Sequence, residues 1–219
     1  ELSDALGESA LAASDIVLLD DEEAEGQMTA AGDEAAFIQR LEASAFERMD
    51  FVFFAGDAAV TKKHWQDARR AGASIVDLTH TLKGEKDVLV RSPWVAEALE
   101  TKTAHHAKEP DLNTHAVVAA HPAAIMIALV VARLAARFSL SGVAATVLEP
   151  ASQHGRLAMD ELHQQTVNLL SFQALPREQY DAQVSFNLLS SLGEAAKVNL
   201  AETEHRIREQ YADLAGGSV

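Results

Sequence analysis

Apolar residues in this chain fall into short, nearly continuous runs separated by longer stretches with helical spacing. Asp15–Leu19, Asp50–Ala55, Ser74–Leu78 and His115–Ala120 are such runs, and brief runs of this kind read as strands buried on both faces. Between them, Ala58 to Ala71 repeats with a helical period, and Gly72 supplies the left-handed stop that ends a helix. This alternation predicts βαβ units and one parallel sheet, shared by all four runs, with helices on both faces. Leu2, Ala5, Leu6, Ala10 and Leu11 open the chain near helical spacing, and Phe37 to Arg48 reads as a further helix. Asp87–Val90 reads as a short edge strand.

At His121-Pro122 a strand turns into a helix expected over Ala123 to Phe138, with proline at its favoured first position. Beyond Ser141-Gly142, a second region is expected to contain strands at Val143–Leu148 and Ala182–Asn187. Its helices are expected at Arg156–Ser171 and Glu194–Leu214. The fold class is therefore α/β.

Composition narrows the function. Aromatics make up only 5% of a chain that is 48% hydrophobic, which suits helices on sheets better than an aromatic-rich sandwich. Eighteen Lys and Arg against 33 Asp and Glu give a formal charge of -15, so nucleic acid and anionic membranes are poor partners. The most apolar window, Ala116 to Ala136, is broken by His121 and Pro122. About ten apolar residues remain beyond them, too few for a membrane span. With no cysteine among its 219 residues, the chain has no disulfide and no thiol nucleophile, which fits a cytoplasmic setting.

Several segments in fixed order carry a resemblance: Asp50–Ala55, Ala71–Asp77, His121–Ala124, Gly155–Leu162 and Val184–Asn187. In order and spacing they resemble landmarks of the aspartate-semialdehyde dehydrogenase family and its Usg-type relatives, and the likeness covers nearly the whole chain. It implies a Rossmann-like domain over residues 1–118 and a catalytic and dimerisation-type α+β domain with a mixed sheet over 119–219. It also implies a first strand and glycine-rich phosphate loop ahead of Glu1, and further strands beyond Val219. A homodimer or larger assembly, a role in amino-acid biosynthesis and an NAD or NADP cofactor are implied in the same way.

The family's nucleophilic cysteine sits at a helix N-terminus in an Asn-Pro-Asn-Cys segment. Here that segment is His121-Pro122-Ala123-Ala124, so Ala124 stands at the nucleophile position, and a methyl group cannot form a thioacyl intermediate. His121 replaces the first Asn; a single His at a turn is commonly a cap. Glu149 best matches the glutamine that assists the cysteine, with Gln153 its counterpart if the register slips. The family's cofactor-contacting positions fall on Asp20, Asp21, Ala55 and Gly56. Clustered acids at Asp20–Glu23 would repel a 2′-phosphate, whereas one of them could hold a ribose hydroxyl pair. As a plain acidic turn they need no function.

The family also binds its substrate with Arg, Lys and Glu side chains of the second domain. Lys197, Arg206 and Arg208 match none of these securely, and read more simply as a solvated helix face paired with Glu202, Glu204 and Glu209. His105, His106, Asp111 and His115 lack the spacing of a metal site, so no metal is expected. Three readings follow: a catalytically silent relative kept for binding or assembly, an active NAD(P)-dependent semialdehyde oxidoreductase, and an acidic α/β interaction scaffold.

Overall fold

A computed structural model describes residues 2–9, 11, 15–20, 25–31, 34–100 and 116–215. Contacts gather these into two units: one comprises residues up to Leu89 and those ending at Ala119, the other begins at Val90 and resumes at Ala120.

In the first unit, strands β4 (Phe51–Phe54), β5 (Ser74–Asp77) and β7 (Ala116–Ala119) run parallel, and β6 (Val88–Arg91), which starts in this unit, takes the edge in the order β4-β5-β7-β6. Helix α2 (Ala58–Ala71) covers this sheet. Thr61, Trp65 and Ala68 form its buried stripe at helical spacing. Asp57 caps its start through a bond from the Ala59 N–H, and Gly72, at φ 92°, closes its end. Phe46, Phe54, Ile75 and Leu82 fill the core beside Trp65. At the end of β5 the fully buried Asp77 accepts from the Thr79 and Leu82 N–H groups and from the Thr79 hydroxyl, at 2.6–2.8 Å. That network folds the following loop back onto the sheet.

Two expectations for this unit fail. Phe37 to Arg48 is not a helix: Glu34–Arg40 forms β3, followed by a 3₁₀ turn at Ala43–Phe46. Phe37 is exposed, Ile38 half-buried and Gln39 exposed, the two-residue alternation of a strand. Gly26, at φ 77°, turns the chain so that β2 (Met28–Ala31) pairs antiparallel with β3. The second failure concerns β1 (Leu18–Asp20), expected in the main sheet. It pairs parallel with the other edge of β3, Leu18 opposite Ile38, in a separate three-stranded sheet ordered β1-β3-β2. Once β3 is a strand with two open edges, the nearest apolar run takes the second edge.

The second unit is helical among its described residues. Helices α3 (Pro93–Glu100) and α6 (Leu200–Ala215) both pack on α4 (Pro122–Ala135). Helix α5 (Gly155–Leu170) follows a 3₁₀ turn at Ala151–His154. The strands expected at Val143–Leu148 and Ala182–Asn187 are absent. Val143 and Leu148 are exposed on an extended segment without a ladder partner among the described residues. Around Ala182–Asn187 the fully buried Gln165 does a neighbouring strand's work. Its Oε1 accepts from the Val184 N–H at 2.9 Å and the Ser185 N–H at 3.4 Å, and its Nε2 donates to the Pro176 and Ala182 carbonyls. Backbone groups satisfied by one side chain have no need of a sheet.

Candidate functional site

The site forms where the backbone leaves β7 and enters α4. His121 is the N-cap of α4 and only 3% exposed, and its Nδ1 accepts from the Ala123 N–H at 3.2 Å. An imidazole nitrogen that accepts carries no proton, so the neutral ring holds its hydrogen on Nε2. On that side lie Glu149 Oε1 at 3.1 Å and the Gln153 side-chain amide at 3.3 Å, which must turn its oxygen to the ring to accept from an Nε2–H, while His154 Nε2 stands 3.9 Å from the other Glu149 oxygen. Glu149 Oε1 is buried without a well-directed hydrogen bond, so its contact with the ring is chiefly electrostatic. From α6, the fully buried Gln210 accepts the His121 backbone N–H at 2.6 Å.

Burial pushes the His121 pKa below its ordinary value. Glu149 pulls it back up, and Arg206 and His154 push it further down. The neutral ring is also the only form that can cap the helix, because an imidazolium would turn a donor toward the Ala123 N–H.

An open cleft of about 240 Å³ lies over this junction, smaller than the roughly 300–1,000 Å³ of drug-sized pockets. His121, Gln153, His154, Gln179, Lys197 and Arg206 contribute to its walls. Two cations, Lys197 and Arg206, face the cleft beside one carboxylate, Glu202, which pairs with Arg206 at 3.7 Å.

The structure sorts the sequence-based site residues. Ala124 is wholly buried in the cluster formed with Ala123 and Ile207 of α6, so the nucleophile position faces packing and not the cleft. Glu149 and Gln153, alternatives for one family position, both sit beside the His121 ring. Arg206 and Arg208 pair with Glu202 and Glu204 on α6, and Arg208 behaves as the solvated face expected. Arg206 instead lines the cleft, and so does Lys197, which lies ahead of α6 and not on it. Asn199 caps that helix by accepting the Glu202 N–H at 3.1 Å. Its Asn-x-x-Glu spacing was the signal that would have placed Lys197 in the preceding loop.

The loop that carries Lys197 is clipped to residues 179–181. Lys197 and Val198 donate N–H bonds to the Gln179 carbonyl at 2.9 and 3.1 Å, Gly193 donates to the Tyr180 carbonyl, and Ala195 to the Asp181 carboxylate. A Cβ on Gly193 would collide with the Asp181 carboxylate, so only glycine permits this approach.

In the first unit, Ala55 and Gly56 are exposed at the end of β4, with open space at Gly56, and Asp20 is exposed at the end of β1. Asp21 lies outside the described residues, as do His105, His106, Asp111 and His115. Asp57 occupies the N-terminus of α2 with a carboxylate already bonded to the Ala59 N–H. That charge repels a phosphate where an uncapped terminus would attract one. No group of three or more His, Asp or Glu suited to a metal occurs among the described residues. No described helix is long and apolar enough to cross a membrane.

Residues 5–102 match the semialdehyde dehydrogenase NAD-binding domain. A USG-1 protein homolog of Azotobacter vinelandii is 30% identical over 79% of this chain and 49% of its own length. A second, from Pseudomonas aeruginosa, is 28% identical over 92% of this chain and 57% of its own. The chain thus spans about half the length of the curated relatives it matches. Aspartate semialdehyde dehydrogenase II of Vibrio cholerae, solved in complex with ASA, superposes with a TM-score of 0.77 at 17% identity, covering 96% of this chain and 60% of that one. That likeness is one of fold.

Because the folded-state pKa of His121 lies below the unfolded 6.5, the stability it contributes is complete above that pH and declines as pH falls through the window beneath it. The variant His121→Asn keeps a capping side chain but does not titrate, so its unfolding midpoint should fall less steeply than wild type between pH 6.5 and the folded value. His121→Ala should lose about 0.5–2 kcal/mol at neutral pH. Equal slopes for wild type and His121→Asn in urea unfolding would refute the assignment.

Proposed function

Since the chain belongs to the aspartate-semialdehyde dehydrogenase family, with Usg-type proteins among its relatives, we propose that it is a catalytically silent member that keeps a cleft for a small anion. One observation carries this reading: the nucleophile position is a methyl group buried under α6, at a helix N-terminus already closed by the His121 ring. A thioacyl mechanism needs a thiolate facing substrate at such a terminus. This junction offers neither the sulfur nor the opening. The cleft nevertheless keeps Lys197, Arg206 and His154 on its walls against the single carboxylate of Glu202, an excess of donors that suits a carboxylate or phosphate. His121 and Glu149 serve the frame beneath it. A cytosolic setting accords with the cysteine-free composition, and the acidic surface argues against nucleic acid as the partner.

The test is a cofactor assay. Purified protein given phosphate, NADP and aspartate semialdehyde should reduce no cofactor above background. Ala124→Cys should remain equally inactive, because its thiol would lie beneath Ile207. Turnover by the wild-type chain would overturn the silent reading and favour an active oxidoreductase. Separately, inorganic phosphate should bind and perturb the His154 ring resonances, with at least a fivefold loss of affinity in Lys197→Ala.

Self-association belongs to the same proposal. Met126, Val130 and Leu134 are 62%, 58% and 44% exposed on α4, at four-residue spacing that forms one apolar stripe. Such a stripe is more readily covered by a second copy than left in water. Light scattering should find a dimer or larger species at micromolar concentration; a strict monomer would remove the claim.

A further inference from the structure

Behind the wall that carries Lys197 lies a carboxylate that the cleft itself does not use. Glu161 on α5 is 7% exposed. Its Oε2 accepts the Gln179 N–H at 2.6 Å, and its Oε1 accepts the Tyr180 N–H at 3.2 Å and the Gln165 side-chain amide at 3.3 Å. The far side of the same Gln179 peptide region is the acceptor for the Lys197 and Val198 N–H groups. A continuous path therefore runs from a buried side chain on a rigid helix, through Gln179, to the backbone of a cleft lysine.

We propose that Glu161 is a positioning residue for the cleft, holding Lys197 in place through Gln179 without touching the ligand. The proposal rests on the anion-cleft reading above.

Its physical basis is rigidity and direction. Residues 171–199 contain no helix or ladder, so the Lys197 backbone is fixed by side chains and by the clip. A carboxylate that accepts two successive N–H groups sets the orientation of both peptides. Glutamine in its place would keep one acceptor but bring an NH₂ group against a backbone N–H, leaving a buried donor unsatisfied. The Gln179 carbonyl would then no longer be aimed at Lys197. Gly193, which admits no Cβ beside Asp181, secures the clip from its other end through the Tyr180 carbonyl.

A double-mutant cycle read by phosphate binding tests this, with inorganic phosphate as the probe and the His154 resonances as reporter. If wild type does not bind phosphate, the anion-cleft reading fails and takes the proposal with it. If wild type binds, Glu161→Gln should weaken affinity at least fivefold. Combined with Lys197→Ala it should add less than twofold to the loss caused by Lys197→Ala alone, because both changes remove the same contact. Additive losses, or unchanged affinity in Glu161→Gln, would overturn the positioning role, since a general loosening of the fold would not depend on Lys197. Should Glu161→Gln fail to fold, hydrogen exchange on the wild-type protein decides: saturating phosphate should slow the Gln179 and Lys197 amides at least threefold. Unchanged exchange there overturns the proposal.

Discussion

The second unit depends on how one helix N-terminus is closed. Helix α4 begins at the end of a buried strand with no acidic residue in its first turn, and its orphan N–H groups must find acceptors inside the protein. His121 answers from within the chain, by Nδ1 to the Ala123 N–H, while Gln210 of α6 takes the backbone N–H of His121 itself. A cap and an interhelical hydrogen bond thus share one residue. With α6 docked this way, Ile207 closes over Ala123 and Ala124, and Tyr211 and Leu214 extend the contact. The floor of the cleft and the burial of the family's nucleophile position are two results of one arrangement.

Around that floor, buried polar side chains do what a sheet would otherwise do. Glu161 and Gln165, one turn apart on α5, face the same stretch of irregular backbone and between them satisfy groups from Pro176 to Ser185. Thr166 adds a hydroxyl contact to the buried Ser185 at 2.9 Å. Each bond contributes about 1 kcal/mol net, but leaving any of these buried groups unmade costs more. The loop is therefore specified by a few side chains, and a single substitution at either end can move the cleft wall.

Much of this was legible in the sequence. The runs at Phe51, Ser74 and Ala116, the Gly72 stop and the His121-Pro122 junction are local signals, and local signals survive folding. The likeness to semialdehyde dehydrogenases placed Ala124 and drew attention to Glu149 and Gln153. What could not be read was tertiary. Phe37, Ile38, Leu41, Ala45 and Phe46 satisfy a helical template about as well as a strand and a turn, and only pairing with Met28–Ala31 decides between them. Val184 to Asn187 has the composition of a strand, but the side chain that satisfies its backbone is Gln165, nineteen residues from Val184. Helical spacing continues through Lys197, and only the Asn199 cap, a local signal weaker than that periodicity, sets Lys197 in the loop that walls the cleft.

The closed N-terminus of α4 requires one state of one imidazole. Nitrogen-15 NMR of the His121 ring reads it directly, since protonated and unprotonated ring nitrogens resonate far apart. The account predicts a neutral ring with its proton on Nε2 and an accepting Nδ1, persisting as pH is lowered through 6.5. A ring protonated on Nδ1 at neutral pH, or an imidazolium already formed at pH 6.5, would mean that His121 does not cap α4, and the closed junction at the centre of this account would be wrong.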